Sequence, residues 1–226
     1  NLKLIVDNTF SPLSVSPIML GADVVIHSLT KFINGSSDTV GGVYCASQEF
    51  VDDTKNVNNG ACMLLGPTMD SFRSASILKN LRTLHIRMKK HSENAMFLAE
   101  RFENDGLKVK YPGLKTHKNH ELMKSMMHEE YGFGGLLTVD VGSVEKANEL
   151  MELMQTENLG YLAVSLGFYK TLFSCSGSST SSEIPEDERK EMGLSDGLIR
   201  FSIGLDHDIE RTYQKMRECM VKTGVL

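Results

Sequence analysis

The sequence predicts an α/β protein in two parts, a piece of a mostly parallel sheet followed by a small α+β domain. Two short β-branched runs, residues 2–6 and 23–27, are separated by too few residues for more than a brief crossover, and strand, crossover, strand is the signature of parallel pairing. Residues 68–104 contain no Gly or Pro and carry apolar side chains at helical spacing. Beyond them, strand-like and helix-like stretches alternate to the C-terminus.

Taken in order, the first run stops at the polar turn Asp7-Asn8-Thr9 and the second at Ser28-Leu29-Thr30-Lys31. The crossover between them, residues 16–21, has Pro17 near its first turn and Gly21 after its end, as a short helix requires. Residues 34–42, rich in Gly, Ser and Asp, form a loop that leads into the apolar stretch 43–46. Phe72, Ala75, Leu78, Leu81, Leu84, Met88, Ala95, Leu98 and Phe102 then predict one long amphipathic helix, stopped by Gly106. Residues 107–111 and 135–141 read as strands, Ser143 caps a helix through Met154, and residues 198–203 alternate as a strand does. In the last helix Ile209, Tyr213, Met216 and Met220 share a face, and the serine-rich residues 174–182 read as a loop within the second part.

Composition narrows the classes of function. The 226 residues hold 24 Lys plus Arg against 29 Asp plus Glu, a net charge of −5, and 41% of them are hydrophobic. That is enough apolar material for a sizeable core, and it lacks the basic excess that nucleic acid or an anionic membrane surface demands. No apolar run approaches the roughly 18 residues of a membrane span. Four widely spaced cysteines without a C-x-x-C pair fit a reduced, cytoplasmic protein, and are expected to be buried apolar residues. His117-x-x-His120 lacks the order of a zinc helix, so no metal is predicted. Gly132-Phe133-Gly134-Gly135 precedes a strand instead of following one and reads as a turn, not a dinucleotide loop. The basic residues Lys79, Arg82, Arg87, Lys89 and Lys90 read as one solvated helix face, and the thirteen methionines as core filler. The start at Asn1, directly before a strand-like run, predicts a chain that begins inside a larger protein.

In open α/β sheets ligands bind beyond the carboxyl ends of the strands, where both Asp7 and Lys31 are expected. A lysine there can condense with an aldehyde and an aspartate can keep a pyridine nitrogen protonated, the pairing that pyridoxal phosphate chemistry requires. Ser28 and Thr30 would supply hydroxyls for the phosphate.

The longer string Val6-Asp7-Asn8-Thr9-Phe10, with Leu20-Gly21-Ala22-Asp23-Val24-Val25-Ile26-His27-Ser28-Leu29-Thr30-Lys31-Phe32, resembles the cofactor-lysine region of the cysteine and methionine metabolism family of pyridoxal phosphate enzymes. The resemblance continues through residues 84–94, Tyr111-Pro112-Gly113-Leu114 with His117, residues 162–167 and residues 197–204, and so covers essentially the whole chain. It implies the C-terminal part of a fold-type I enzyme. Residues 1–84 would end the large cofactor domain, and residues 85–226 would form the small C-terminal domain. It implies pyridoxal 5'-phosphate as cofactor, Lys31 as the lysine that joins it, Asp7 as partner of its ring nitrogen, and Ser28 and Thr30 as phosphate ligands. Arg200 would bind the substrate carboxylate, with Ser165 beside it, as a planar guanidinium can do through two parallel hydrogen bonds. A homo-oligomer, a dimer of dimers, is implied as well.

Val164 points to the substrate. The residue before that serine is apolar in members that resemble methionine γ-lyase and tends to be polar or acidic in members that cleave cystathionine, whose second ammonium an apolar wall leaves unpaired. Residues 63–69, 131–137 and 174–182 also look most like the plant-type methionine γ-lyase branch. The expectation is a C–S lyase acting on methionine, with cystathionine γ-lyase or γ-synthase as the alternatives and a non-catalytic half as the alternative of another class. Three departures stand out: Lys170 where glutamate is expected, Lys79-Asn80 for Arg-Gly, and Ser181 for histidine. Neither of the first two is expected at the cofactor contacts, while Ser181 leaves the role of its loop open. The family is about twice this length, so the chain is expected to carry half of an active site and to be inactive by itself.

Overall fold

In this computed structural model the described residues are 2–175, 184, 185, 188 and 195–226. The first part is a three-stranded sheet of β1 (Ile5–Asp7), β2 (Val24–Ser28) and β3 (Gly42–Ala46), in that order. The predicted parallel pair is present, with Val6 opposite Val25, and the crossover is a single 3-10 turn, Pro17–Leu20, closed by Gly21 at φ +97°. β3, however, runs antiparallel to β2, so this sheet is mixed.

Short helices α1 (Gln48–Thr54) and α2 (Ala61–Leu65) follow, then α3 (Ser71–Leu81) and α4 (Leu84–Asn104). The predicted long helix is therefore two helices, although neither Gly nor Pro breaks it. At the junction Thr83 has φ −106° and ψ 3°. The Asn80 carbonyl, which an unbroken helix would offer to Leu84, accepts from the Thr83 amide and hydroxyl and from the Arg87 guanidinium. The expected apolar stripe is buried only along α4. In α3 Phe72, Leu78 and Leu81 are exposed, and Ile77 is the buried residue.

The second part is a five-stranded sheet of β4 (Lys108–Lys110), β5 (Leu136–Asp140), β6 (Tyr161–Leu162), β7 (Leu172–Cys175) and β8 (Leu198–Ser202), in the order β4-β5-β8-β7-β6. α5 (His120–Met126), α6 (Val144–Thr156) and α7 (Ile209–Lys222) complete it. Ser143 caps α6 as expected, accepting from the Lys146 amide. Period-two alternation sends Ile199 and Phe201 of β8 into a core with Leu98, Phe102, Leu150, Met154, Met216 and Met220. The opposite face of β8 carries Arg200 and Ser202.

Of the cysteines, Cys175 and Cys219 are buried as expected but Cys45 is exposed and Cys62 half-exposed. Ser174 and Cys175 extend β7, so the serine-rich stretch opens as strand; residues 176–182, Ser181 included, lie outside the described residues. Among the described residues no helix is long and apolar enough to cross a membrane, and no cluster of His, Cys, Asp or Glu could hold a metal ion.

Candidate active site

Strand β1 ends at Asp7, and the chain turns at once through Asn8 and Thr9. Thr9 ties the two strand ends together: its amide donates to Asp7 Oδ1 at 3.0 Å, and its hydroxyl accepts from the Ser28 amide at 2.8 Å. Hydrogen bonds from Thr9 hold the Asp7 carboxyl below its ordinary range, and the neighbouring His27 acts in the same direction. Asp7 therefore stays ionised at neutral pH. Sequence reading passed over Thr9, although a threonine two residues after a strand-terminal aspartate is a recognisable side-chain-to-backbone turn.

Lys31 sits three residues past the end of β2, in a single wide turn, Leu29–Ile33, where the Asn34 amide donates to the Leu29 carbonyl at 2.9 Å. Its own dihedrals, φ −86° and ψ −129°, are non-helical and interrupt the turn. Thr30 faces backward: its hydroxyl accepts from the Gly41 amide at 3.0 Å, which closes the loop 34–42 onto the turn. That hydroxyl thus anchors the loop, in addition to the phosphate role expected of it.

Lys31 Nζ donates to Ser165 Oγ at 3.0 Å across a separation of 134 residues. The Ser165 carbonyl in turn accepts from Arg200 Nη2 at 3.1 Å. Lys31, Ser165 and Arg200 are therefore contiguous. Asp7 and Ser28 meet through Thr9 on the same strand ends, and Val164, next to Ser165, is exposed. Arg200 lies on the central strand of its sheet, opposite Thr138 on one side and Ser174 on the other. Both of those hydroxyls are buried, with no hydrogen-bond partner among the described residues. Burial lowers the Arg200 pKa, yet a guanidinium so far from neutrality remains charged.

What joins the two halves of the site is Gly167. At φ +76° it lies against the backbone of the lysine turn, and an added Cβ would stand 2.4 Å from the Phe32 nitrogen and 2.9 Å from the Lys31 carbonyl carbon. Its amide donates to the Ser202 hydroxyl at 2.9 Å, on the strand that carries Arg200. Any larger residue would push Ser165 away from Lys31.

Arg87 corrects the reading of a solvated basic face. Lys79, Arg82 and Lys89 are exposed, but the half-buried Arg87 donates to the carbonyls of Phe32, Ile33 and Asn80. Asn80, expected to be remote, donates to Asn34 Oδ1 at 2.8 Å and so supports the same turn from behind. Lys170 does lie away from the turn: its ammonium donates to the Tyr161 hydroxyl at 2.9 Å. His120 Nδ1 meets the Pro112 carbonyl at 2.9 Å, and its ring stacks on Phe133.

Comparison with known proteins decides the family. Residues 1–213 match the family described as Cys/Met metabolism PLP-dependent enzyme. The chain belongs to this family. It is 44% identical to methionine gamma-lyase of Arabidopsis thaliana over 222 residues, which is 98% of this chain and 50% of that protein. Cystathionine gamma-lyase of Bacillus subtilis (strain 168) is 39% identical over 207 residues, 90% of this chain and 52% of the relative. Among solved structures, cystathionine gamma synthase from Xanthomonas oryzae pv. oryzae superposes with a TM-score of 0.87 at 32% identity, over 100% of this chain and 57% of that one. The chain spans about half the length of the curated relatives it matches.

The residues present fit the cofactor that the family uses. A primary amine, an aspartate kept ionised and a serine hydroxyl sit together at the ends of adjacent strands. They are the donor set that an aldehyde, a pyridine nitrogen and a phosphate call for.

Proposed function

We propose that this chain carries the lysine-bearing half of the active site of a PLP-dependent C–S lyase that splits methionine, with water, into methanethiol, 2-oxobutanoate and ammonia. The observation that carries the reading is the continuous line from Lys31 through Ser165 to Arg200. When bound, pyridoxal phosphate supplies an aldehyde for amines and a protonated ring that withdraws electrons from the α carbon. Asp7 would face the ring nitrogen, Ser28 would hold the phosphate, and Thr30 would act by fixing the loop at Gly41.

Arg200 grips the substrate carboxylate and so turns the single hydrogen of the α carbon towards Lys31. The Lys31 amine, hydrogen-bonded to Ser165, would take the α proton, then a β proton, and hand a proton to the departing sulfur so that it leaves as the thiol. Val164 offers an apolar wall that suits a methyl thioether and offers no partner to the second ammonium of cystathionine. The relative at 44% identity is named a methionine gamma-lyase. The boundary at Leu84 between cofactor domain and small domain, assembly as a dimer of dimers and a cytoplasmic location all belong to this reading.

The test is borohydride reduction of the protein, as its source makes it, after incubation with pyridoxal phosphate, followed by peptide mapping. A cofactor mass on Lys31 is expected, with thiol and ammonia released from methionine faster than from cystathionine. Absence of that mass from Lys31 removes the enzyme reading, and faster turnover of cystathionine replaces methionine with it as substrate.

A further inference from the structure

One face of α4 is polar where a helix against a core should be apolar. Arg87, His91 and Asn94, at spacings of four and three, point inward, and His91 and Asn94 are fully buried. Each side chain ends on a backbone carbonyl of a segment that carries a functional residue. Arg87 takes the carbonyls of Phe32 and Ile33, just after Lys31, while His91 Nδ1 meets the Ile203 carbonyl at 2.6 Å. Asn94 donates to the carbonyls of Gly204 and Asp206 at 2.9 Å, beyond the strand of Arg200.

Arg87 is the unusual member. Its half-buried guanidinium has backbone carbonyls and the Thr83 hydroxyl as its hydrogen-bond partners, and no carboxylate among the described residues forms an ion pair with it. A charge is costly to desolvate, so a stable fold retains it where the geometry of five fixed donors is what matters. The cradle is made to measure: Gly35, at φ +72°, comes so close that a Cβ there would lie 2.5 Å from Arg87 Nη1. On the opposite side the same Lys31-Phe32 backbone meets Gly167. The lysine turn departs from helical dihedrals at Lys31 itself, whose carbonyl accepts from the Gly35 amide at 2.7 Å, and its Phe32 backbone is met by both Arg87 and Gly167.

We infer that Arg87 is a positioning residue for Lys31: its forked grip on the Phe32 and Ile33 carbonyls fixes the direction in which the Lys31 amine leaves the backbone. The inference rests on the lyase reading for its purpose but not for its test, because the amine can be followed without cofactor. The protein as its source makes it, freed of cofactor, is treated with an amine-acylating reagent across pH 7 to 10, and labelling of each lysine is timed by peptide mass.

In the native protein Lys31, half-buried and bonded to Ser165, is expected to label slowly relative to Lys89, which is exposed on α4 itself. Arg87→Ala should speed Lys31 at least fivefold and shift its pH profile, leave Lys89 unchanged, and be reversed by millimolar ethylguanidinium. Asn94→Ala, which loosens the other end of the same helix face, should leave the Lys31 profile where it was. An unaltered Lys31 profile in folded Arg87→Ala overturns the inference, and so does an equal change in Asn94→Ala, since either result reduces Arg87 to general packing. If Arg87→Ala does not fold, Arg87→Lys decides the matter: it keeps the charge but lacks the planar fork that spans the Phe32 and Ile33 carbonyls, so a native Lys31 profile there overturns the inference too. A Lys31 that fails to join pyridoxal phosphate in the native protein would remove the lyase reading while leaving this result intact.

Discussion

The two parts of the chain bury their apolar residues very differently. In the second, 23 buried side chains among the described residues form one continuous core between the five-stranded sheet and its helices. In the first, six form the corresponding cluster, Phe32, Ile33, Ile77, Leu84, Met88 and Leu166. Leu4, Ile5 and Ile26 of the first sheet, and Phe72 and Leu78 of α3, are exposed. Of those six, Met88 and Leu166 come from beyond Leu84, so the lysine turn draws its packing from across the junction. The second part holds the larger core, and the candidate site draws Asp7, Ser28 and Lys31 from the first part and Ser165 and Arg200 from the second. The lysine turn bridges them, which lets a residue such as Gly167 matter to both.

The largest expected effect that sharpens this comparison is chemical. Lys31→Ala should lower kcat for methionine by about 10³-fold or more, because a positioned acid–base group contributes on the order of 10²–10⁴ and here also joins the cofactor; steady-state kinetics and circular dichroism should show a folded but silent protein. In the second part Phe201→Ala should cost about 3–5 kcal/mol in urea unfolding, whereas Ile77→Ala in the first should cost about 2, since its smaller cluster relaxes more readily. Equal losses would dissolve the contrast between the two cores.

Arg200→Ala should raise the KM for methionine about 10- to 100-fold while leaving bound cofactor unchanged by absorbance, the worth of a charge-assisted pair. An unchanged KM would take Arg200 out of the site.

His91 gives the pH dependence. Burial lowers its pKa to about 4, so the folded state holds it neutral while the unfolded chain, near 6.5, takes up a proton first. The unfolded state therefore binds more protons between those values, and stability is lost as pH falls from 6.5 towards 4, by about 2 kcal/mol at pH 5. Urea titrations at pH 7 and pH 5 should show the drop, and His91→Gln should remove it. The smallest effect expected is that of Val164→Glu, about a tenfold gain in relative kcat/KM for cystathionine over methionine. Unchanged relative values would undo the apolar-wall argument.

How much of this was legible beforehand follows sequence distance. The Asp7 and Lys31 positions could be read because a strand, its terminal turn and the residues in it are consecutive in the chain. The α3–α4 break could not: no Gly or Pro marks it, and the Asn80 carbonyl is drawn out of the helix by Arg87, whose other partners, Phe32 and Ile33, lie 55 and 54 residues away. Arg87 read as solvent-facing for the same reason, since a basic residue among basic neighbours looks alike whether its carbonyl partners are absent or merely distant in sequence. The exposed stripe of α3 shows the converse, a helical period that is correct and a burial that does not follow from it.

The sequence by itself determined the α/β class, the parallel pair β1–β2, strands β4, β5 and β8, the cap at Ser143, the family, and the lysine, serine and arginine on which the proposed chemistry rests, because local propensity, period and motif are properties of neighbouring residues. Only the tertiary structure decided the mixed pairing of β3, the split helix, the engagement of Thr30 by Gly41 and the grip of Arg87 and Gly167 on the lysine turn. Each of these is a hydrogen bond or a close backbone approach made when the chain closes on itself, and no pattern of neighbouring side chains encodes such a contact.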